Sequence, residues 1–308
     1  PLFHVSGLLA GVLMQARTGA TIVFRSGRFD PADVLRLIEQ ERVTMWTAIG
    51  SMGPRVMEHP DMATRDLSSL TRMTSGGAHL AEHMQEQIRE KFPQAAAAIG
   101  QGYGSSETVG VVTTIGGEEF RTNPAATGRP CLSFEIEIRD AQDQPVPDGV
   151  EGELHVRSPY TMLRYWRDPD ATSATLKAER WLATGDIGRI VDGMLYLNSR
   201  ARDMILRSGE NIYPVEIEHR LEAHPDVAEA AVLGVDSVEH GQEVKAVVVP
   251  TGDRFDATVL AEWCAEALAA YKVPTHWERR DAPLPRTASG KVVKAAITGD
   301  RALSDHED

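Results

Sequence analysis

Apolar residues along the first hundred positions switch between two spacings, and the switch predicts alternating helices and strands. Asp30 followed by Pro31 reads as a helix start, an N-cap oxygen and then a ring already at helical φ, and VLRLIEQ continues with its apolar residues on one face. TMWTAIG at 44–50 predicts a buried strand. Leu80, Met84 and Ile88 recur every four residues, which predicts an amphipathic helix over 80–91, and AAAAIG at 95–100 predicts another short strand. Such alternation implies a parallel sheet with helices on its faces, where ligands bind beyond the carboxyl ends of strands. SGG at 75–77 and GYGSSE at 102–107 fall at such ends.

After Gly116 the pattern changes. Phe134, Ile136 and Ile138 alternate with Glu135, Glu137 and Arg139, PDGVEG at 147–152 supplies turn residues and LHV begins a further strand, so this stretch predicts a β subdomain with one wet face. Past about residue 202 mixed signals resume: VEIEHRLEAH starts a helix, EAAVLGV and EVKAVVVP are strands, and DATVLAEWCAEALAAY at 256–271 is a helix. A small α/β domain therefore ends the chain. There is no internal repeat, and only the final SDHED reads as disordered.

The chain has 308 residues, more than one hydrophobic core usually serves, so two domains are expected. It is 42% hydrophobic and 25% charged, and no apolar run approaches the roughly 20 residues of a membrane helix, which predicts a soluble protein without an integral membrane segment. A formal charge of −13 argues against a nucleic-acid partner, whose phosphates call for clustered Lys and Arg. Cys131 and Cys264 lie far apart without metal-ligand spacing; both are expected to be core thiols in a reducing, cytoplasmic compartment. The chain opens at Pro1 on PLFHVSG with no initiator Met, and the expectation is that an upstream piece is missing.

GYGSSE combines glycines that let backbone approach a ligand with an aromatic ring, hydroxyls and a carboxylate. Alone it serves equally as a tight turn. Gly290-Lys291 suggests a Walker phosphate loop, but that pattern needs Gly five positions before Gly290 and Ser or Thr after Lys291, where this chain has Pro285 and Val292. The P-loop reading fails.

Three separated blocks, QGYGSSE at 101–107, SRARDMILRSGENIYPVEIE at 199–218 and RTASGK at 286–291, together resemble the AMP-forming acyl-CoA synthetases, the adenylating family that also contains luciferases and peptide-synthetase adenylation domains. The resemblance runs over nearly the whole chain. It implies an α/β fold: a large N-terminal domain, incomplete here, with a parallel α/β subdomain and a β-barrel-like subdomain over 1–201, and a small mobile α+β C-terminal domain over 202–308. It also implies two half-reactions in one site, adenylation of a carboxylate and then acyl transfer to CoA, with the small domain rotating between them.

Residue roles follow from the same resemblance. Gly76, Gly77 and Ala78 in SGGAHL would line the adenine site; Tyr103 would lie against adenine, with Gly104 beside it, Ser106 would hold the α-phosphate in place of the usual Thr, and Glu107 would help bind Mg²⁺. Asp186 in TGD would accept hydrogen bonds from the ribose hydroxyls, as a carboxylate suits a diol, and Arg200 would face ribose or phosphate, with Ser199 where Gly is usual. Arg202 stands at the hinge position, usually Asp or Lys, and Ser208, Gly209 and Glu210 would line the pantetheine tunnel. Lys291 would catalyse adenylation, its ammonium offsetting the repulsion between carboxylate and α-phosphate where charge builds up. His4 in PLFHVSG would border the acyl pocket, a satisfied structural histidine being an equal alternative. GELHVRSPYTMLRYW resembles a family block of chiefly structural role, with Ser158 and Arg164 where Gly is common.

The expected activity is an ATP-dependent acid:CoA ligase acting on an apolar, fatty carboxylic acid with ATP, Mg²⁺ and CoA. The alternatives are loading of an acyl carrier protein and a catalytically inactive nucleotide-binding homologue. The family's phosphate loop, Ser/Thr/Gly-rich and ending in Pro-Lys, is not among these residues, so this chain alone is expected to be impaired. A homodimer is left open, and the acid's chain length is not legible.

Overall fold

The computed structural model describes residues 2–27, 29–49, 52–76, 80, 82–200, 203–287 and 291–298. Gly77, Ala78, Arg202 and the SDHED end therefore lie outside the described residues. Chain contacts separate two compact units: Pro1–Thr184 with Arg189–Leu197 and Ser289–Lys291, and Gly185–Gly188 with Asn198–Ala288 and Val292–Asp308.

The first unit opens on a helix, wound as π over Ser6–Leu13 and as α over Met14–Thr18 (α1). Helix α2 (Pro31–Gln40) begins as its sequence predicts, with the Asp30 carboxylate accepting from the Ala32 amide. Strand β1 (Met45–Ile49), α3 (Met52–Met57), β2 (Arg72–Gly76), α4 (Glu82–Lys91), β3 (Ile99–Ser105) and β4 (Gly110–Gly116) follow, then α5 (Gly117–Thr122) and the short β5 (Arg129–Pro130). The sheet runs β1-β2-β3-β4-β5. Its first three strands are parallel, and β4 and β5 turn back antiparallel. The expected parallel sheet is thus mixed, because the turn after Ser105 returns the chain directly beside β3. Leu35, Ile38, Met73, Ile88, Phe92, Ile99 and Phe120 fill the core beneath it.

Two other expectations change. Among the described residues β1 is an edge strand, only partly buried, with Met45 at 40% exposure and Ala48 in the core. The AAAAIG strand begins only at Ile99, because Ala96–Ala98 wind into a 3₁₀ turn, and alanine has no side chain to pack on a pleated face.

A four-stranded sheet, β6 (Glu135–Arg139), β7 (Gly152–Arg157), β8 (Leu182–Val191) and β9 (Met194–Arg200), completes the β region in that order, with α6 (Pro169–Thr175) between β7 and β8. Ile136 pairs Val156 and Ile138 pairs Leu154, packing inward with Val112 and Leu195, while Glu135 takes Arg157 at 2.7 Å on the wet face. The predicted alternation is realised. Cys131 is only half-buried, against the core-thiol expectation, since it lies in the loop after β5; Cys264 is buried and its thiol is pushed up to about 11 by desolvation.

In the second unit, β10 (Ile205–Arg207) and β11 (Glu210–Ile212) form a hairpin, α7 (Pro214–Glu222) follows, and β12 (Val227–Ser237) pairs β13 (Gly241–Pro250) along their length. Helix α8 (Ala257–Ala265) precedes β14 (His276–Arg279), which joins β13 in parallel, and α9 (Lys294–Thr298) ends the described chain. The order is β11-β10-β13-β12. Ala230, Val232, Val244, Ala246 and Val248 face α7 and α8, whereas Ala231, Leu233, Val247 and Val249 face Leu284, Val292 and Ile297. Burial on both faces explains why EAAVLGV and AVVV read as unbroken apolar runs. α8 stops at Ala265, short of the expected Tyr271, and both Leu268 and Val273 beyond it pack on the same cluster. No helix among the described residues is long and apolar enough to cross a membrane.

Candidate active site

Strands β3 and β4 build the centre of the site from backbone. A Cβ on Gly104 would stand 1.7 Å from the Gly110 carbonyl oxygen, so no other residue fits this register. The pairing shifts between Tyr103 and Gly104, a bulge of the kind that re-aims side chains near ligands. Tyr103 is half-buried against the second sheet's core. GYGS belongs to the strand, contrary to the expected loop, and only residues 106–109 turn.

Thr108 holds that turn. Buried at 1% exposure, it accepts from the Ser105 amide at 2.9 Å, and its hydroxyl reaches the Gly110 carbonyl at 3.0 Å. Ser106 is left exposed and Glu107 half-buried. The Glu107 carboxylate accepts from the Tyr165 hydroxyl at 2.9 Å, and its carbonyl accepts from the Met162 amide at 2.7 Å. Burial, then the bond to Glu107, raises the Tyr165 pKa, so its phenol remains a donor. Gly76 closes β2 beside Gly102 of β3, and the buried Gln101 accepts from the Leu80 amide and donates to the Ala126 carbonyl, both at 2.9 Å.

His4 is half-buried, and its Nδ1 accepts from the Ser6 amide and lies 2.8 Å from the Ser6 hydroxyl. Burial first, and then the positive charge of Lys291, lower its pKa, so at neutral pH it is an uncharged imidazole. Lys291 itself is half-buried and groups with the first unit.

Asp186 and the 208–210 turn group with the second unit. Asp186 is 9% exposed and follows Gly185, whose φ is +72°. Arg200 is the last residue of β9, and its side chain lies outside what is described. Ser208 and Gly209 form the two-residue β10–β11 turn with φ of +52° and +88°, the pair of positive values that a type I′ hairpin requires. The Ser208 amide donates to the His240 carbonyl at 2.8 Å, and its hydroxyl lies 3.0 Å from His240 Nδ1. Beside it opens a cavity of about 420 Å³ lined by Arg207, Ser208, Glu210, His240, Ala270 and Tyr271.

Sequence reasoning missed Tyr165, Thr108 and Gln101. Tyr165 lies in LRYW, read as chiefly structural; its signal was an aromatic hydroxyl in a block already aligned by resemblance. For a divalent cation the donor set is spare: no three His, Cys, Asp or Glu side chains converge among the described residues. The Glu107 carboxylate is a donor of the kind magnesium takes, since that ion commonly binds through one or two carboxylates and fills its shell with substrate phosphates and water.

A family profile described as "AMP-binding enzyme" matches residues 1–166, and one described as "AMP-binding enzyme C-terminal domain" matches 216–291. The feruloyl-CoA synthase of Amycolatopsis sp is 36% identical over 96% of this chain and 60% of its own length. Among solved structures, the amide bond synthetase McbA from Marinactinospora thermotolerans superposes with a TM-score of 0.86 at 35% identity, covering 98% of this chain and 61% of that one. The o-succinylbenzoate CoA synthetase of Bacillus subtilis, in complex with the acyl-adenylate OSB-AMP, superposes at 0.84 with 34% identity, over 96% and 59%. The chain thus spans about three fifths of the length of these relatives. With more than half of its residues matched by the first profile and the RTASGK end by the second, this chain belongs to the AMP-binding enzymes, the adenylate-forming group its motifs resemble.

Proposed function

We propose that the intact protein is an ATP-dependent acid:CoA ligase that activates an apolar carboxylic acid as its adenylate and passes the acyl group to CoA, releasing pyrophosphate and AMP. The observation that carries this reading is Glu107, whose carboxylate is fixed by the Tyr165 hydroxyl and whose backbone carbonyl is held by the Met162 amide, just past the end of a strand whose glycines admit a ligand against the backbone. Magnesium, when bound, neutralises phosphate charge; Glu107 would hold it together with the nucleotide. Tyr103, Gly104, Gly76, Gly77 and Ala78 would receive adenine, Ser106 the α-phosphate, and Asp186 and Arg200 the ribose. Lys291 supplies the cation between carboxylate and phosphate, and a neutral His4 borders the acid without competing for it. Ser208, Gly209 and Glu210 would line the thiol's path, with residues 1–201 and 202–308 as the two domains and Arg202 as their pivot.

Fatty acids fit the sequence reading, and the names of two relatives point to aryl acids, so both classes belong in the assay. The similarity to an amide bond synthetase favours one second reading, transfer to an amine. The free thiols Cys131 and Cys264 support a reducing, cytoplasmic location.

The test is to follow pyrophosphate release and thioester formation separately with ATP, Mg²⁺, CoA and a panel of aryl and fatty acids. Acid-dependent pyrophosphate release followed by CoA thioester is expected. Release without thioester would move the acceptor to an amine or a carrier protein, and no release with any acid would overturn adenylation. Lys291→Ala should slow the first step by about 100-fold or more, leaving thioester formation from supplied acyl-adenylate near its parent rate. Equal losses would refute the role given to Lys291.

A further inference from the structure

Lys291 is flanked by two described stretches that fold back on each other. Arg286 pairs Val292 in an antiparallel bridge, and the Val293 amide donates to the Pro285 carbonyl at 2.8 Å. Each stretch is then fastened to the second unit's sheet and helix. On the incoming side Arg286 donates to Glu229 of β12 at 2.8 Å, and the same carboxylate accepts from the Leu284 amide at 3.3 Å. On the outgoing side the Lys294 ammonium meets Glu218 of α7 at 2.7 Å and the Val232 carbonyl at 3.0 Å. Glu218 is itself fixed, since it accepts from the Val232 amide at 2.8 Å. A third carboxyl, Glu222, lies one helical turn further along α7 and accepts from the Ala230 amide.

These are not surface pairs. The four side chains of the two ion pairs retain only 15–24% of their exposure. Leu284, Val292 and Ile297 already anchor the same stretches to an apolar face. Removing charges from water costs about as much as their attraction returns, so paired charges beside an adequate apolar anchor add little net stability but do fix register and direction.

We propose that Arg286 and Lys294 are positioning residues for the adenylation step, clamping the chain on both sides of Lys291 so that its ammonium is delivered to one place. The inference rests on the role given to Lys291 under the proposed function. Lys291 directly precedes Val292, which the bridge ties to Arg286, and stands three residues before Lys294, and misplacement of a reacting group by about 1 Å costs about 100-fold.

The experiment uses the intact protein with Arg286→Gln, Lys294→Gln, Lys294→Arg and Lys291→Ala. Adenylation is read by pyrophosphate release, and the second step by thioester formation from supplied acyl-adenylate. Arg286→Gln and Lys294→Gln should lower the adenylation kcat by about 10- to 100-fold with the KM for ATP and the second step within about twofold. Lys294→Arg should recover most of the loss. Unchanged adenylation in the two Gln variants, with Lys291→Ala inactive, would overturn the clamp and leave the parent reading intact. Parallel loss of both steps with a lowered melting point would reduce the pairs to structural roles and also overturn it. Active Lys291→Ala would instead sink the parent reading. Should a Gln variant fail to fold, Arg286→Lys decides: it keeps the charge, shortens the reach to Glu229, and is expected to lose adenylation alone.

Discussion

The first unit and the second hold their functional segments by different means. At the β3–β4 turn the constraint is steric and neutral: Gly104 lies against the Gly110 carbonyl, Thr108 ties both sides of the turn, and Tyr165 brings a hydroxyl to Glu107. Around residues 284–287 and 291–298 ion pairs join an apolar anchor, with Glu229 and Glu218 set against Arg286 and Lys294 and Glu222 beside them. A turn proposed to hold a nucleotide in one pose gains from packing that has no alternative arrangement. A segment proposed to deliver a charge gains from contacts whose direction is specified but whose net stability is small.

The largest effect should come from breaking the steric side. Gly104→Ala places a methyl group where the Gly110 oxygen already is, and β3 and β4 cannot both keep their register. We expect a loss of about 3 kcal/mol or more, the upper end for overpacking, with nucleotide binding abolished. Urea unfolding and nucleotide titration check it. A variant of parental stability that still binds nucleotide would show that this strand pair yields easily, and the contrast between the units would lose its first half.

The ionic side should answer to pH where the steric side does not. Glu222 keeps part of its surface in solvent, yet its carboxyl is enclosed enough that burial, then the charge of Glu218, pushes its pKa from 4.5 to about 7; Glu229 acts in the same direction and Arg286 against it. A raised carboxyl pKa means that the folded protein holds its proton longer than the unfolded chain. The associated stability is full below about pH 4.5, declines as pH rises, and is gone above about 7. Glu222→Gln keeps the shape and the acceptor for Ala230 but removes the titration. It should be more stable than the parent by about 2 kcal/mol at pH 8, with the difference closing toward pH 4.5, a figure set below the full shift because of the solvent contact. A difference that does not change between pH 5 and 8 would remove Glu222 from the ionic account.

How far the sequence announced these arrangements depends on the range of the forces involved. The Asp30-Pro31 helix start, the four-residue repeat of α4, the Glu–Ile alternation of β6 and the apolar runs of β12 and β13, buried on both faces, were legible because each pattern is written within a few consecutive residues. Strand direction was not: VGVVTTIG carries the same apolar signal whether β4 runs with or against β3, and the tight turn alone decides. Nor could the exposure of β1 be read, since burial depends on what lies beside a strand. At the site, GYGSSE marked the glycines and Glu107, but the donor to Glu107 comes 58 residues later, and no spacing rule reaches that far. The clamps on Lys291 escaped for the same reason, lying 57 and 76 residues from their partners Glu229 and Glu218.

The smallest effect should separate two reasons for glycine. Gly209 occupies the β10–β11 turn at φ +88°, yet nothing lies within 4 Å of where its Cβ would be. Here conformation alone makes the demand, whereas Gly104 sits at a position where space makes it. Gly209→Ala should therefore cost only about 1 kcal/mol, the strain of an alanine in the left-handed region, and Gly209→Asn appreciably less, because asparagine visits that region readily. If the larger asparagine were tolerated worse than alanine, the turn would be limited by space after all. The cavity beside Ser208 and His240 would then be tighter than its open turn implies, and the second unit would share the first unit's steric logic.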